Sequence, residues 1–258
     1  MTDQRVALVT GGSRGIGRAI SLALAEEGFA VLVNYNENLD AANEVKRLIE
    51  EKGGRAEVCA ADISKPSHRD LLVEFTQEMF GRIDLLVNNA GIAHPSPGDL
   101  LESQVDAYDQ VMDINLKAPF FLSCNVGRLM IGLIEDKSIP SGTIINLSSI
   151  RSYTVGLENA EYCLSKAGVS MMTKLFAVRL AGHGINVYEI SPGLIDTEMI
   201  DPTRDYYAKA LSAGAAPIRR LGKPEEVART VAAIARGDFP YSTGAVFPID
   251  GGFHIQTL

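Results

Sequence analysis

Along this chain short, unbroken apolar runs alternate with longer stretches in which apolar residues recur every three or four positions. The first pattern reads as buried strand and the second as amphipathic helix. Val6 to Val9 is such a run; it flows into Thr10-Gly11-Gly12-Ser13-Arg14-Gly15-Ile16-Gly17, and Arg18 to Glu27 follows with Ile20, Leu22, Ala23 and Leu24 at helical spacing. Ala30 to Val33 predicts a second strand. Leu39 to Glu51 predicts a helix with Ala42, Val45, Leu48 and Ile49 on one face, stopped by Gly53-Gly54, and Ala56 to Ala60 predicts a third strand. Arg69 to Phe80, Tyr108 to Gly132, Ala167 to Ala181 and Glu225 to Ala235 read as further helices; Ile83 to Val87, Thr143 to Leu147, Ile185 to Ile190 and Ala245 to Ile249 read as further strands. No repeat or linker interrupts this alternation. It predicts one α/β domain over residues 1–258, a doubly wound parallel sheet with its ligand at the carboxyl ends of the strands. Met199 to Arg220 has no clean period and reads as a lid over a substrate.

The residues with chemical potential fall at those strand ends. Gly11, Ser13, Arg14, Gly15, Ile16 and Gly17 form a strand-to-helix turn in which glycine lets backbone N–H groups approach a pyrophosphate. The spacing is Gly-x-x-x-Gly-x-Gly rather than Gly-x-Gly-x-x-Gly, and Gly17 fits close approach to a phosphate. Gly11 to Gly15 also matches a Gly-x-Ser-x-Gly nucleophile elbow, but that turn normally follows several strands, not the first. At the end of the second strand Tyr35 stands where an NAD site usually carries an acid, and Arg14 offers a cation near the same end. NADP is therefore favoured over NAD, with Glu37 the alternative ribose partner. Asp62, followed by Ile63, either accepts from an adenine amine or caps the next helix. Asn89, Ala90 and Gly91 form a small-residue turn on which a ring or ribose can lie, and Pro192-Gly193 breaks the backbone so that Ile195 and Thr197 face a cofactor.

Asn146 to Lys166 carries the reacting groups. If Tyr162 opens a helix, Lys166 lies four residues on, on the same face, and its charge favours the phenolate of a residue whose free pKa is about 10. Tyr162 is then a candidate acid/base. Ser149, thirteen residues earlier, is placed to hold a carbonyl or alcohol oxygen. The alternative is a helical turn with a surface lysine. Asn115, inside a predicted helix, reads by itself as exposed or bonded back to its own helix.

Composition narrows the partners. Of 258 residues 46% are apolar and 22% charged, and the net charge of −8 argues against nucleic acid or an anionic membrane surface. The N-terminus has no signal-like region and no apolar run reads as long enough to span a bilayer, so the expected location is cytoplasmic. Cys59, Cys124 and Cys163 suggest no disulfide framework, and His68, His94, His183 and His254 lack metal-ligand spacing, so metal-free chemistry is expected.

Taken together, Thr10-Gly-x-x-x-Gly-x-Gly17, Asp62, Asn88-Asn-Ala-Gly91, Asn115, Ser149, Tyr162-x-x-x-Lys166 and Pro192-Gly193 resemble the short-chain dehydrogenases/reductases along essentially the whole chain. The resemblance implies a Rossmann-like sheet of about seven strands, a nicotinamide cofactor, and interconversion of a ketone and a secondary alcohol. It implies that Asn115 holds a water leading to Lys166, that Lys166 binds the nicotinamide ribose and tunes Tyr162, and that Ser149 positions the substrate oxygen. It also implies a homotetramer built through the helices around Asn115 and after Lys166. The chain looks most like 3-oxoacyl-[acyl-carrier-protein] reductases, for which an acyl carrier protein would be a partner. Two features depart from that pattern: the segment Met130 to Ser141 is long and carries Glu135 and Asp136, and His183 stands where users of the carrier tend to have arginine. A sugar or polyol dehydrogenase is the alternative, helped by Arg151, Ser152, Glu158 and Asn159 near the serine, and a non-catalytic nucleotide sensor is a remote one.

Overall fold

Four residues of pure hydrocarbon, Val6 to Val9, are buried on both sides, as expected for a central parallel strand covered by helices on each face. The computed structural model describes residues 4–93 and 98–255; His94 lies outside them. After β1 (Val6–Val9) come α1 (Gly15–Glu26), β2 (Ala30–Tyr35), α2 (Leu39–Glu51), β3 (Ala56–Ala60), α3 (Pro66–Phe80) and β4 (Leu85–Asn88). The second half contains α4 (Val105–Met112), α5 (Ala118–Glu135), β5 (Gly142–Leu147), α6 (Ala160–Leu180), β6 (Ile185–Pro192), α7 (Arg204–Ser212), α8 (Pro224–Arg236) and β7 (Val246–Ile249). The strands form one parallel sheet of seven in the order β3-β2-β1-β4-β5-β6-β7. The order reverses between β1 and β4, and ligands of such sheets bind at the carboxyl ends beside that switch.

Two cores follow from strand alternation. Val31 and Val33 of β2 join Ile20 and Leu24 of α1, Val45 of α2 and Val231 of α8 on one face. Leu32, from the same strand, joins Leu72 of α3, Leu122 and Val126 of α5 and Leu180 of α6 on the other. Each fully buried aliphatic side chain contributes about 1.5–3 kcal/mol.

The predicted elements are found, with shifts at their ends. α1 begins at Gly15, since the glycine turn is itself the first helical turn, and α6 begins at Ala160, so Tyr162 and Lys166 share one helix with the segment predicted from Ala167. The long helix predicted from Tyr108 is divided by a π-helical turn, Asp113–Lys117, with Asn115 at its centre. Val105–Glu135 as a whole is long and apolar enough to cross a bilayer, contrary to the sequence reading, yet Leu122, Val126 and Met130 are fully buried against the sheet. It packs as a core helix. Met199 to Arg220 contains α7, preceded by a 3₁₀ stretch, Glu198–Thr203.

Gly17 has a packing role. A Cβ there would lie 2.1 Å from the Gly11 carbonyl oxygen and 2.5 Å from Asn89 Nδ2, so hydrogen is required for α1 to pack on the turn. Gly17→Ala is expected to destabilise the fold by about 3 kcal/mol through overpacking. Gly132→Ala, at an exposed position of α5 with open space around it, is expected to stabilise by about 0.4–1 kcal/mol. Thermal or urea unfolding of the two variants checks the pair, and a Gly17→Ala protein as stable as wild type would contradict the packing role.

Candidate active site

The turn after β1 is fixed by amides from two neighbouring strands. Gly11 and Gly15 adopt φ of +60° and +51°, a region costly for other residues. Gly11 N–H donates to Asn34 Oδ1 (3.1 Å) and Gly12 N–H to the Asn34 carbonyl (2.8 Å), while Asn34 Nδ2 donates to the Ala61 carbonyl (2.9 Å). Asn89 Nδ2 donates to the carbonyls of Thr10 (2.8 Å) and Gly11 (3.1 Å). The Asn89 side chain, expected at the cofactor, is therefore engaged by the turn itself. Ser13 is buried, Arg14 exposed and Ile16 half-buried at the start of α1. No side chain caps that helix and its first turn holds no acid, so its N-terminal N–H groups suit an anion such as a pyrophosphate.

Beyond the turn lies an open recess of about 430 Å³ lined by Arg14, Glu37, Asn38, Leu39 and Asp40. Arg14 reaches across the site to Glu198 (3.0 Å). The Tyr35 ring packs against the α1/α2 core rather than lining this recess. Asp62 Oδ1 accepts from the Ser64 N–H (3.0 Å) and hydroxyl (2.7 Å), closing a turn ahead of α3. Burial raises the Asp62 pKa, but the Ser64 bonds and Lys65 outweigh it and hold the carboxyl below its usual value. Ile63 is core. On the opposite wall Pro192 ends β6, and Gly193 lies so close to β7's end that a Cβ would be 2.7 Å from Asp250 Cα. Ile195 is buried against Gly222 instead of facing outward, because its backbone bridges to that residue. Thr197 does face the site: its methyl is 3.4 Å from where a Gly15 Cβ would be. The uncapped helix end with Thr197 opposite fits a dinucleotide.

The reacting groups converge where β4, β5 and α6 meet. Lys166 is buried, and its Nζ donates to the Leu147 carbonyl at 2.9 Å and lies 5.5 Å from the Tyr162 ring centre. Burial draws the Lys166 pKa down to about 8, with the Glu189 carboxylate pulling the other way. Tyr162 is raised above the ordinary phenol value, chiefly by burial; a hydrogen bond with Ser149 and the charge of Arg151 oppose this, while Tyr207 of α7 adds to it. The expected lowering by Lys166 is thus not the dominant effect. The Ser149 hydroxyl also accepts from the Arg151 N–H (3.1 Å).

Asn115 is neither exposed nor bonded to its own helix. Its Oδ1 accepts from the Ile92 N–H (2.8 Å), and its Nδ2 donates to the Ile92 carbonyl (2.9 Å) and to Ser165 Oγ (3.3 Å). The π-helical turn brings it there. A Cβ at Gly91 would sit 3.2 Å from Asn115 Oδ1 and 3.6 Å from Lys166 Nζ, so Gly91, Asn115 and Lys166 form one contact. Sequence reasoning passed over Asn34 and Glu189. A lone carboxylate in the apolar strand Ile185–Pro192 is the signal for the last.

Comparison with known proteins agrees with this geometry. A family model described as enoyl-(acyl carrier protein) reductase matches residues 11–254. A 3-oxoacyl-[acyl-carrier-protein] reductase from Synechocystis sp. is 39% identical over 249 residues, covering 96% of each chain. A 3beta-hydroxysteroid dehydrogenase 1 from Eggerthella lenta is 37% identical over 252 residues, covering 97% of this chain and 94% of its own. The crystal structure of a 3-oxoacyl-[acyl-carrier protein] reductase from Brucella melitensis in complex with NAD superposes with a TM-score of 0.94 at 34% identity, covering 100% of both chains. With its parallel sheet of seven strands, its glycine turn and its Ser149, Tyr162 and Lys166 at one point, the chain belongs to the short-chain dehydrogenase/reductase family of oxidoreductases.

Proposed function

We propose that this chain reduces a 3-oxoacyl thioester to the 3-hydroxy compound with NADPH, and that Asn115, Ser149, Tyr162 and Lys166 carry the chemistry. The observation behind the reading is the state of Tyr162: a phenol raised by burial is protonated at neutral pH and hydrogen-bonded with Ser149, ready to give its proton to a forming alkoxide. Ser149 holds the carbonyl oxygen, and its hydrogen bond strengthens as negative charge develops there. Tyr162 then transfers its proton to that oxygen. Lys166, anchored on Leu147, keeps its remaining N–H groups for the nicotinamide ribose, and Asn115 clamps the Gly91-Ile92 loop against it. A bound nicotinamide supplies the hydride in reduction and accepts it in the reverse direction.

NADP is the proposed cofactor. Asn34, Tyr35 and Asn36 end β2 without a carboxylate, and Arg14 lines the recess beyond. Glu37 and Asp40 line it too, which keeps NAD as the competing cofactor. α7 is proposed to cover the substrate, since Tyr207 reaches the surroundings of Tyr162. For a carrier protein the basic element is at the end of α6, where Arg179 Nη1 lies 2.9 Å from His183 Nε2. A sugar or polyol dehydrogenase is the second reading, favoured by the Arg151 cation beside Tyr162, with Asn159 on the same loop. A homotetramer is proposed from the exposed stripe Leu164, Met171, Leu175 and Val178 on α6, joined by Phe120 and Phe121 of α5.

NADPH consumption with acetoacetyl thioester and with a panel of ketosugars separates the two substrate readings; turnover with ketosugars alone would overturn the first. Tyr162→Phe is expected to lower kcat/KM by about 10²- to 10⁴-fold while NADPH binding, followed by cofactor fluorescence, stays near normal. Retained turnover would refute the proton role. Arg14→Ala should weaken NADPH by about tenfold or more and leave NADH nearly unchanged, since it removes one charge-assisted bond to a phosphate; equal loss for both cofactors would mean the 2′ site lies elsewhere. Light scattering of a Leu175→Glu, Val178→Glu variant should give a smaller particle than wild type, and an unchanged mass would contradict the proposed interface.

A further inference from the structure

Beneath the reacting groups runs a row of buried polar side chains. Asn88 of β4, Asn146 of β5 and Glu189 of β6 are register partners in three adjacent strands. Asn88 Nδ2 donates to Asn146 Oδ1 (2.8 Å) and to Ser123 Oγ of α5 (2.9 Å), and Asn146 Nδ2 donates to Thr173 Oγ1 of α6 (3.0 Å). The row ends in a charge. Glu189 is 1% exposed, and its Oε1 accepts from two hydroxyls, Ser148 and Ser170 (2.6 Å). Its Oε2 has no hydrogen-bond partner among the described residues.

Burying an incompletely bonded carboxylate is costly, so a gain elsewhere is needed to offset it. The two serines identify where. Ser148 directly precedes Ser149, and Ser170 is one helical turn beyond Lys166 on α6. Glu189 is thus bonded to both segments that carry the reacting groups, and Lys166 Nζ is bonded to Leu147, the residue after Glu189's partner in register.

We propose that Glu189 is a positioning residue of the active site: a buried carboxylate that ties the end of β5 to α6 through Ser148 and Ser170 and sets a fixed negative charge behind the Lys166 ammonium. This rests on the reading of Lys166 as part of the reacting set. The groups with charge or a titrating proton around it are few. The Tyr162 ring of α6 lies beside Lys166 and the Glu189 carboxylate of β6 acts on it through charge; Cys163, Arg151 and Tyr207 act on Tyr162, and Tyr153, bonded to Asp250 (3.1 Å), feels the charge of Glu189. Tyr153 is pushed up to about 12 and Tyr162 above the ordinary phenol value, so neither phenol titrates in the range around pH 8 where Lys166 does.

The sign follows. Removing a negative charge from beside an ammonium favours its neutral form, so Lys166 should lose its proton at lower pH. Glu189→Gln keeps an acceptor for both serines and removes only the charge. In protein labelled with ¹³C at lysine Cε, with Lys166 assigned by Lys166→Arg, its titration midpoint should fall by roughly one unit, at an unfolding temperature close to wild type. The alkaline limb of kcat/KM against pH should move down with it, with KM little changed. An unchanged Lys166 midpoint in folded Glu189→Gln would overturn the proposal.

Should Glu189→Gln not fold, Glu189→Asp withdraws the charge by one methylene and should give a smaller shift in the same direction; a midpoint equal to wild type would again count against it. If wild type turns over no carbonyl while the Lys166 midpoint still follows residue 189, the proposed activity fails and the coupling stands.

Discussion

The hydrogen bond from Lys166 to the Leu147 carbonyl is the contact on which the site's geometry depends. It joins α6 to the end of β5, in a buried position. An ammonium there loses its hydration, and the protein returns only part of that through one carbonyl and one carboxylate in the next strand. The rest follows from helical geometry. With Lys166 fixed, Tyr162 is set one turn earlier on the same face, and Ser149, two residues past Leu147, meets the phenol. Gly91 and Asn115 close the far side with a tight contact: a Cβ at Gly91 would lie 3.2 Å from Asn115 Oδ1.

The cofactor end obeys a second constraint, close approach of backbone to backbone. The turn after β1 is held by side-chain amides from β2 and β4, so its N–H groups are aimed before any ligand arrives. Gly17 makes this possible by letting α1 sit directly on Gly11 and Asn89. Thr197 and the Arg14–Glu198 pair close the opposite wall, which links the glycine turn to the segment leading into α7. That pair thus ties the glycine turn to the segment preceding the proposed substrate cover.

Much of this was legible in the sequence because strand runs and helical spacing depend on local pattern. α2 and β3 have the predicted bounds, and the glycine turn and Tyr162-x-x-x-Lys166 were visible because backbone approach and helical periodicity leave local marks. What was not legible depends on which strands lie side by side. That Asn89 faces the glycine turn, that Ile195 is held inward by Gly222, and that Glu189 bonds to Ser148 and Ser170 are consequences of sheet order and register. Asn115 shows the limit most clearly: its own helix gave no reason for burial, and only the π-helical turn brings it to Ile92. The balance at Tyr162 was also out of reach, since spacing supplies the neighbouring cation but not the burial that outweighs it.

We propose direct hydride transfer between nicotinamide and a substrate carbon, with Tyr162 moving the proton. The most direct test is isotopic: NADPH deuterated at C4, on either face in separate reactions, is incubated with acetoacetyl thioester or the ketone consumed fastest, and the product is examined by mass spectrometry. Direct transfer leaves one deuterium on the new carbinol carbon from one of the two labelled cofactors and none from the other. A product without label from either, or bound cofactor that no ketone consumes, would contradict it.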